Sequence, residues 1–338
     1  MTRAPSHPTD ATATAAPVQV RFSLVLPAYN AGGTLRRAVD SVLVQSYANW
    51  ELIIVDDGST DDTAEIARGY ERADSRIRIH SQTNMGCGGA RRAGALMARG
   101  EFVTKMDADD RLAPDALERL SAFIDAEPGY DIYSAHGYKV YSDGTQVEVF
   151  GDPKYRRPLS LTVEDLIDDC WIFGGAASIR RSTLERVGGF RAEVRCEDYD
   201  LWLRALAAGA THRFTPEHLY YWSMGVSGRM NENPIPSFRS YIEILNDLIS
   251  QGLFTPSQVA LARESVVKFA ERIRQLEETG TTDADYTNRQ AQRFKSTVRR
   301  VFGERIGSVL IVAVNRMKWL VKPIRVTRAR RARLKDRG

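Results

Sequence analysis

Short apolar runs alternate with amphipathic segments along the first half of the chain. The run at 51–55 is continuous, which is typical of a strand buried on both faces of a sheet. Residues 34–46 carry apolar side chains at helical spacing. The same alternation predicts strands at 20–26, 77–80 and up to Met106, with helices at 63–72, 88–99 and from Pro114. Repeated strand–helix units of this length predict an α/β fold with a doubly wound, mainly parallel sheet.

The second half of the chain is less regular and becomes helical towards its end. Turn residues at 142–145 between two strand-like runs predict a hairpin. Thr255 is expected as the N-cap of a late helix that starts at Pro256 and ends before Gly280. These patterns divide the chain into a leader, an α/β domain, a helical extension and a tail, at 1–19, 20–236, 237–305 and 306–338.

Charge and cysteine content exclude several classes of protein. A net charge of only +4 gives no signal for nucleic-acid binding. The three cysteines are far apart and without metal-ligand spacing, as expected in a reducing compartment. Residues 1–19 lack the apolar core of a signal peptide, so we expect them to form a disordered leader. No run of about 18 apolar residues occurs, so we expect a cytoplasmic protein.

The tail at 306–338 combines apolar residues at helical spacing with many arginines. Such a helix could lie in a membrane interface with its basic end on anionic headgroups. This predicts peripheral association with the cytoplasmic face of the membrane. A packing helix followed by a solvated charged tail explains the pattern equally well.

Acidic residues cluster directly after the fourth predicted strand. Asp107 and Asp109 are expected on one side of an extended backbone, because side chains there alternate with period 2. Neighbouring carboxylates repel each other, and Mn²⁺ or Mg²⁺ would offset that repulsion. A solvated turn with an acidic helix cap is the alternative at this point.

Four loops follow the four predicted strands, and their chemistry is complementary. In an open α/β sheet, ligands bind outside the carboxyl ends of the strands. The loops could supply a base-stacking aromatic, a carboxylate acceptor, glycine-rich backbone near a phosphate, and a metal site. Each alone is typical of a turn or cap, but four in order are more specific. They lie at 26–30, 55–59, 84–91 and 105–111.

These motifs together resemble family 2 glycosyltransferases, which are nucleotide-sugar transferases with the GT-A fold. The resemblance covers roughly residues 20–230. It also includes the Gly-Gly-Phe at 188–190 and the segment 197–204, EDYDLWLR. The implied architecture is a Rossmann-like, doubly wound GT-A sheet over 20–236 with a C-terminal helical extension.

The resemblance implies a role for each matched position. Asp198 would be the general base, and Asp109 with Asp107 would hold the metal on the donor diphosphate. Asp57 would accept the hydrogen bond from uracil N3, although thymine could donate it too. The implied donor-binding residues are Pro27, Ala28, Tyr29, Asp57, Arg91, Asp107 and Asp109, and further candidates are Asn84, Gly86, Glu197 and Arg229.

The chain departs from the family pattern after the last core strand. Met224 stands where many relatives have a histidine that can contact the metal, and methionine is a poor ligand for a hard cation. The metal shell is then expected to use Asp109, phosphate and water. Arg229 could contact the diphosphate, and 225–233 could form a lid. Asp200 is expected beside the site or at the surface.

The expected activity is inverting, metal-dependent transfer from a nucleotide-diphosphate sugar, favouring a UDP-sugar. One base with in-line attack gives inversion without a covalent intermediate. The acceptor would be a glycan or a lipid-linked hydroxyl in cell-surface polysaccharide or glycolipid synthesis, contacted by 138–171 and the extension. A sugar-1-phosphate nucleotidyltransferase would want a basic, glycine-rich loop at 26–30, which is missing. A non-catalytic nucleotide-sugar-binding scaffold would not need Asp198.

Overall fold

Strands and helices alternate in the first half of the computed structural model. The model describes residues 20–141, 144–148, 159–167, 172, 177–224 and 233–279. The first seven elements are β1 (Phe22–Ala28), α1 (Gly32–Leu43), β2 (Trp50–Asp56), α2 (Thr63–Ala73), β3 (Ile77–Ser81), α3 (Gly86–Met97) and β4 (Phe102–Lys105).

The remaining described elements are five strands, of which β6 and β9 are long, and six helices. They are β5 (Arg111–Leu112), α4 (Ala116–Ala126), β6 (Ile132–Val140), β7 (Gln146–Glu148), α5 (Val163–Ile167), β8 (Ser178–Arg180), α6 (Arg181–Arg186), α7 (Glu197–Ala207), β9 (His212–Ser223), α8 (Ile235–Ser250) and α9 (Pro256–Thr279).

The described strands form one sheet in the order β3-β2-β1-β4-β8-β6-β9-β5, with β7 paired to β6. Strands β1 to β4 are parallel, whereas β8 is antiparallel to both β4 and β6. The carboxyl ends of the first four strands therefore lie along one edge. This confirms the α/β prediction and places the four loops side by side.

Side-chain alternation divides the core between the two faces of the sheet. In β2, Leu52 and Ile54 pack with α1, α2 and α4, whereas Ile53 and Val55 pack with α3 and α5 to α7. Helices α8 and α9 pack on the second face as well, through residues that include Leu245. Residues of α7 and α8 belong to the same hydrophobic cluster. The domain boundary between residues 236 and 237 therefore remains a prediction.

Most predicted elements are present, with shifted ends. The hairpin of β6 and β7 is confirmed, and Thr255 caps α9, since its Oγ1 accepts a bond from the Gln258 amide at 3.4 Å. Helix α3 begins two residues earlier than predicted. The leader, 280–338 and most of the expected lid lie outside the described residues. Within the described residues, no helix has the length and hydropathy needed to cross a membrane.

Candidate active site

The loops after β1 to β4 meet around one cavity of about 680 Å³. Eight of the residues predicted from the sequence to form the site line it: Pro27, Ala28, Tyr29, Asp57, Asn84, Gly86, Asp107 and Asp109. The other lining residues are Asn30 and Ala31 before α1, Gly33 and Thr34 in α1, Cys87 and Ala90 in α3, and Ala108. The parallel register of the strands brings together segments that are up to 82 positions apart, from Pro27 to Asp109.

The first two loops are tied to each other through polar contacts. Asn30 adopts φ 49°, a left-handed conformation that asparagine tolerates better than most residues. Its backbone amide donates to Ser59 Oγ at 3.0 Å, and its Oδ1 accepts from the Thr60 amide at 2.8 Å. This pairing fixes the cavity wall next to Tyr29, whose side chain is 52% exposed.

Asp57 is buried at the end of β2 and is oriented by the third loop. Its Oδ1 accepts hydrogen bonds from Gln82 Nε2 and from the Met85 amide, both at 2.8 Å. Its own amide donates to the Ala28 carbonyl at 2.8 Å. The carboxylate is thus held in one orientation at the cavity wall.

The acidic segment forms a turn, and the predicted extended backbone is wrong. The Asp110 amide donates to the Asp107 carbonyl at 3.2 Å. Asp110 is completely buried, where it contacts the Tyr220 hydroxyl and accepts from the Ser223 amide at 2.9 Å. Burial of this third carboxylate curls the chain, and the turn still leaves Asp107 and Asp109 in the cavity wall.

Arg91 lies under the cavity and joins two acidic segments. Its guanidinium contacts the carboxylates of Asp107 and Glu197, and only 3% of the residue is exposed. Burial lowers the pKa of Arg91, but the nearby carboxylates, Asp107 and Asp198 among them, outweigh it, so the net pKa is raised. The side chain therefore stays charged and clamps α3, the acidic turn and α7 together.

Asp198 faces Lys105 across the second face of the sheet. Lys105 Nζ lies 2.6 Å from Asp198 Oδ2, and the Tyr199 amide donates to Asp198 Oδ1 at 2.8 Å. Burial raises the pKa of Asp198, but the charges of Lys105 and Arg91 outweigh it and the net pKa is lowered. Asp198 lies in the first turn of α7 after the N-cap position, where the helix dipole also favours a carboxylate.

Asp200 is fully buried, which excludes the surface and leaves the other expected place, beside the site. It pairs with Arg191 and Arg204, and Arg204 Nη2 also donates to the Gly189 carbonyl at 2.8 Å. These bonds hold the 187–191 segment against α7. That segment approaches α3 so closely that a Cβ on Gly88 would lie 2.6 Å from the Arg191 carbonyl oxygen.

The acidic turn has residues that suit a hard divalent cation whose shell is completed by phosphate and water. Within the described ranges, no group of three or more histidine, cysteine or acidic residues forms a complete metal site. Magnesium is often held by one or two carboxylates while phosphates and water complete its shell. Asp107 and Asp109 in the wall of a large cavity match that pattern. Arg229 lies outside the described residues, so the structure does not test it.

The two described cysteines should differ sharply in reactivity. Cys87 is exposed in the cavity wall, whereas burial raises the pKa of Cys196 to about 11. We expect iodoacetamide at pH 8 to alkylate the exposed Cys87 and to spare Cys196, which is buried and whose thiolate fraction is roughly a hundredfold below that of an ordinary cysteine. A bound nucleotide sugar should slow the reaction of Cys87. Peptide mass spectrometry with and without UDP and Mn²⁺ measures both effects, and equal labelling of the two thiols would contradict the assigned burial.

The architecture is the GT-A glycosyltransferase fold. Similar solved structures include Staphylococcus aureus TarS 1–349 in complex with UDP-GlcNAc, with a TM-score of 0.59, 20% identity, and coverage of 82% of this chain and 81% of that one. Another is the Pyrobaculum calidifontis mannosyltransferase PcManGT in complex with GDP-Man and Mn²⁺. Its TM-score is 0.58 at 19% identity, with 89% of this chain and 87% of that one covered.

Sequence comparison then identifies the family. The family model "Glycosyl transferase family 2" matches residues 23–188. The Bacillus subtilis (strain 168) "Putative teichuronic acid biosynthesis glycosyltransferase TuaG" is 34% identical over 191 residues, which cover 56% of this chain and 73% of TuaG. The "Putative glycosyltransferase EpsE" of the same strain is 32% identical over 206 residues, which cover 59% of this chain and 72% of EpsE. The chain belongs to glycosyltransferase family 2, as the sequence motifs predicted.

Proposed function

We propose that this glycosyltransferase is an inverting, metal-dependent enzyme that transfers a sugar from a UDP-sugar to a hydroxyl acceptor. One observation carries the proposal: a cavity has Asp57 and the Asp107–Asp109 turn in its wall, and two ion-pair links lead from there to α7. Arg91 joins the turn to Glu197, and Lys105 joins the preceding strand to Asp198. A donor site and a general base are thereby held by one connected set of residues.

The donor nucleotide would be bound by the first three loops. The exposed ring of Tyr29 offers an aromatic face for the base. Asp57 uses Oδ1 for Gln82 and Met85, so we assign Oδ2 as the acceptor for uracil N3–H. Backbone amides at the start of α3 would favour the negatively charged diphosphate.

Asp109, with Asp107, would hold Mn²⁺ or Mg²⁺ on the diphosphate. When bound, such a cation stabilises the charge that develops on a departing nucleoside diphosphate. Arg91 would support this site from below, because it orients Asp107 while remaining charged.

Asp198 would take the proton from the acceptor hydroxyl as the new glycosidic bond forms. Its lowered pKa keeps it ionised at neutral pH, as a proton acceptor requires. Glu197 is a weaker candidate because it is buried and paired with Arg91. With a single base and no enzyme nucleophile, attack from the face opposite the diphosphate inverts the anomeric centre.

The acceptor would be a glycan or lipid-linked hydroxyl of the cell surface. The name of TuaG refers to teichuronic acid biosynthesis, which supports a polysaccharide acceptor by analogy. Association of 306–338 with the cytoplasmic membrane face would give access to lipid-linked substrates. That segment lies outside the described residues.

A thermal-shift panel of nucleotide sugars tests the donor and the metal together. A donor at about 100 times its Kd stabilises a protein by roughly 2.7 kcal/mol. We expect UDP-sugars with Mn²⁺ to raise Tm more than GDP-sugars do. Asp109→Asn should lose the Mn²⁺-dependent part of the shift, and the exposed Asp125→Asn should keep it. Equal shifts without metal, or larger shifts with GDP-sugars, would contradict the proposed donor site.

A further inference from the structure

We propose that Lys105 is a positioning residue that sets the orientation of Asp198 relative to the donor site. This inference rests on the proposed role of Asp198 as the general base. Lys105 is the first residue of the acidic 105–111 stretch, but the sequence motifs assign it no role in binding the donor or the metal.

The backbone of Lys105 is held in the sheet. Lys105 is the last residue of β4, in register with Val25 of β1, and its amide donates to the Ala177 carbonyl at 3.2 Å. Alternation along β4 puts it on the same face as Val103, the face covered by α3 and α7. Only 6% of Lys105 is exposed, so surrounding atoms confine the side chain.

The contact fixes the carboxylate of Asp198 through both of its oxygens. Oδ2 contacts the Lys105 ammonium at 2.6 Å, and Oδ1 accepts from the Tyr199 amide at 2.8 Å. An ammonium group has donors only, so it holds the carboxylate in its ionised form. Each oxygen retains a second lone pair, which leaves Asp198 able to accept the proton of a sugar hydroxyl.

Two ion pairs, not one, join the donor side to α7. Lys105 is two positions before Asp107 and contacts Asp198, while Arg91 contacts both Asp107 and the neighbouring Glu197. The metal-binding turn and the base are therefore connected by two short charged links that start from adjacent elements, β4 and α3. Such links fix the separation of a base from a bound donor, and a displacement of about 1 Å can cost 100-fold in rate.

Lys105→Met tests the inference because methionine keeps the apolar stem and removes the charge. We expect kcat to fall roughly 10- to 100-fold, with the Kd and KM of the UDP-sugar within about threefold of the unchanged protein, as for any change that spares ground-state binding. Lys268→Met, at an exposed position of α9, is the matched control and should keep its kcat. If Lys105→Met does not fold, Lys105→Gln is measured in its place. The glutamine amide is uncharged and one atom shorter than the lysine ammonium, so it cannot reproduce the contact with Asp198, and the same loss of kcat is expected.

The inference is tested by whether Lys105→Met lowers kcat or weakens binding of the donor. An unchanged kcat, or donor affinity that falls as much as kcat/KM, would overturn the positioning role, since the second result would put Lys105 on the donor. Asp198→Asn is measured in parallel. If that variant keeps full kcat, the assigned base is wrong. If it is inactive while Lys105→Met is fully active, only the positioning inference fails.

Discussion

Replacement of Asp198 with asparagine is expected to lower kcat for sugar transfer by about 10²- to 10⁴-fold, the usual contribution of a positioned base. The asparagine amide keeps the size of the side chain and can still accept from Lys105, but it cannot take the acceptor proton. Asp198 does not line the cavity assigned to the donor. Isothermal titration should therefore give a Kd for the UDP-sugar within a few-fold of the unchanged protein.

The same substitution at a second aspartate distinguishes the loss of the base from the general loss of one negative charge. Asp125 is an exposed aspartate that pairs with Arg21 far from the cavity, and Asp125→Asn should be fully active. A fully active Asp198→Asn enzyme would reject the assigned base. A parallel fall in donor affinity would instead indicate that Asp198 shapes the donor site.

Replacement of Arg91 with methionine is expected to destabilise the protein and to remove its activity. The change leaves Asp107 and the buried Glu197 without their shared cation, and breaking a buried pair on one side costs about 3–5 kcal/mol. For a domain of this size, Tm should fall by on the order of 10 °C. Donor binding should weaken too, because Asp107 loses the contact that orients it.

The adjacent arginine provides the control for this prediction. Arg92 is on the same helix but exposed, so Arg92→Met should change Tm by little, and urea unfolding would compare the two variants directly. Arg91→Lys keeps a charge but cannot reach both carboxylates with a planar fork, so an intermediate stability is expected. If Arg91→Met were as stable as Arg92→Met, the clamp would not exist in solution.

The parallel half of the sheet could be predicted because the hydrophobic pattern of each strand is visible in its own segment of the sequence. The apolar run of β2 is buried on both faces, and its alternate residues supply the two halves of the core. Later elements were harder to bound, because their limits depend on pairing with distant strands. Helix α6, for example, begins at Arg181, directly after β8 ends at Arg180.

The loops of the site could be predicted for the same reason that they converge. The carboxyl ends of parallel strands lie at the same edge of the sheet. Loops that follow successive strands are therefore close together in space. Contacts between distant residues left no such signal. Lys105 and Asp198 are 93 positions apart, and Asp110 and Tyr220 are 110 apart. Their side chains are also ambiguous in the sequence, since an acidic run resembles a solvated turn until one carboxylate is seen to be buried.

The close approach at Gly88 limits which substitutions can reshape the cavity wall at the start of α3. Any side chain at that position would collide with the Arg191 carbonyl, and Gly86 adopts φ 74°, which disfavours other residues. Cys87 lies between them, faces the cavity and is exposed. Substitutions of Cys87 can therefore change this part of the cavity wall, whereas Gly86 and Gly88 on either side of it are expected to remain glycine.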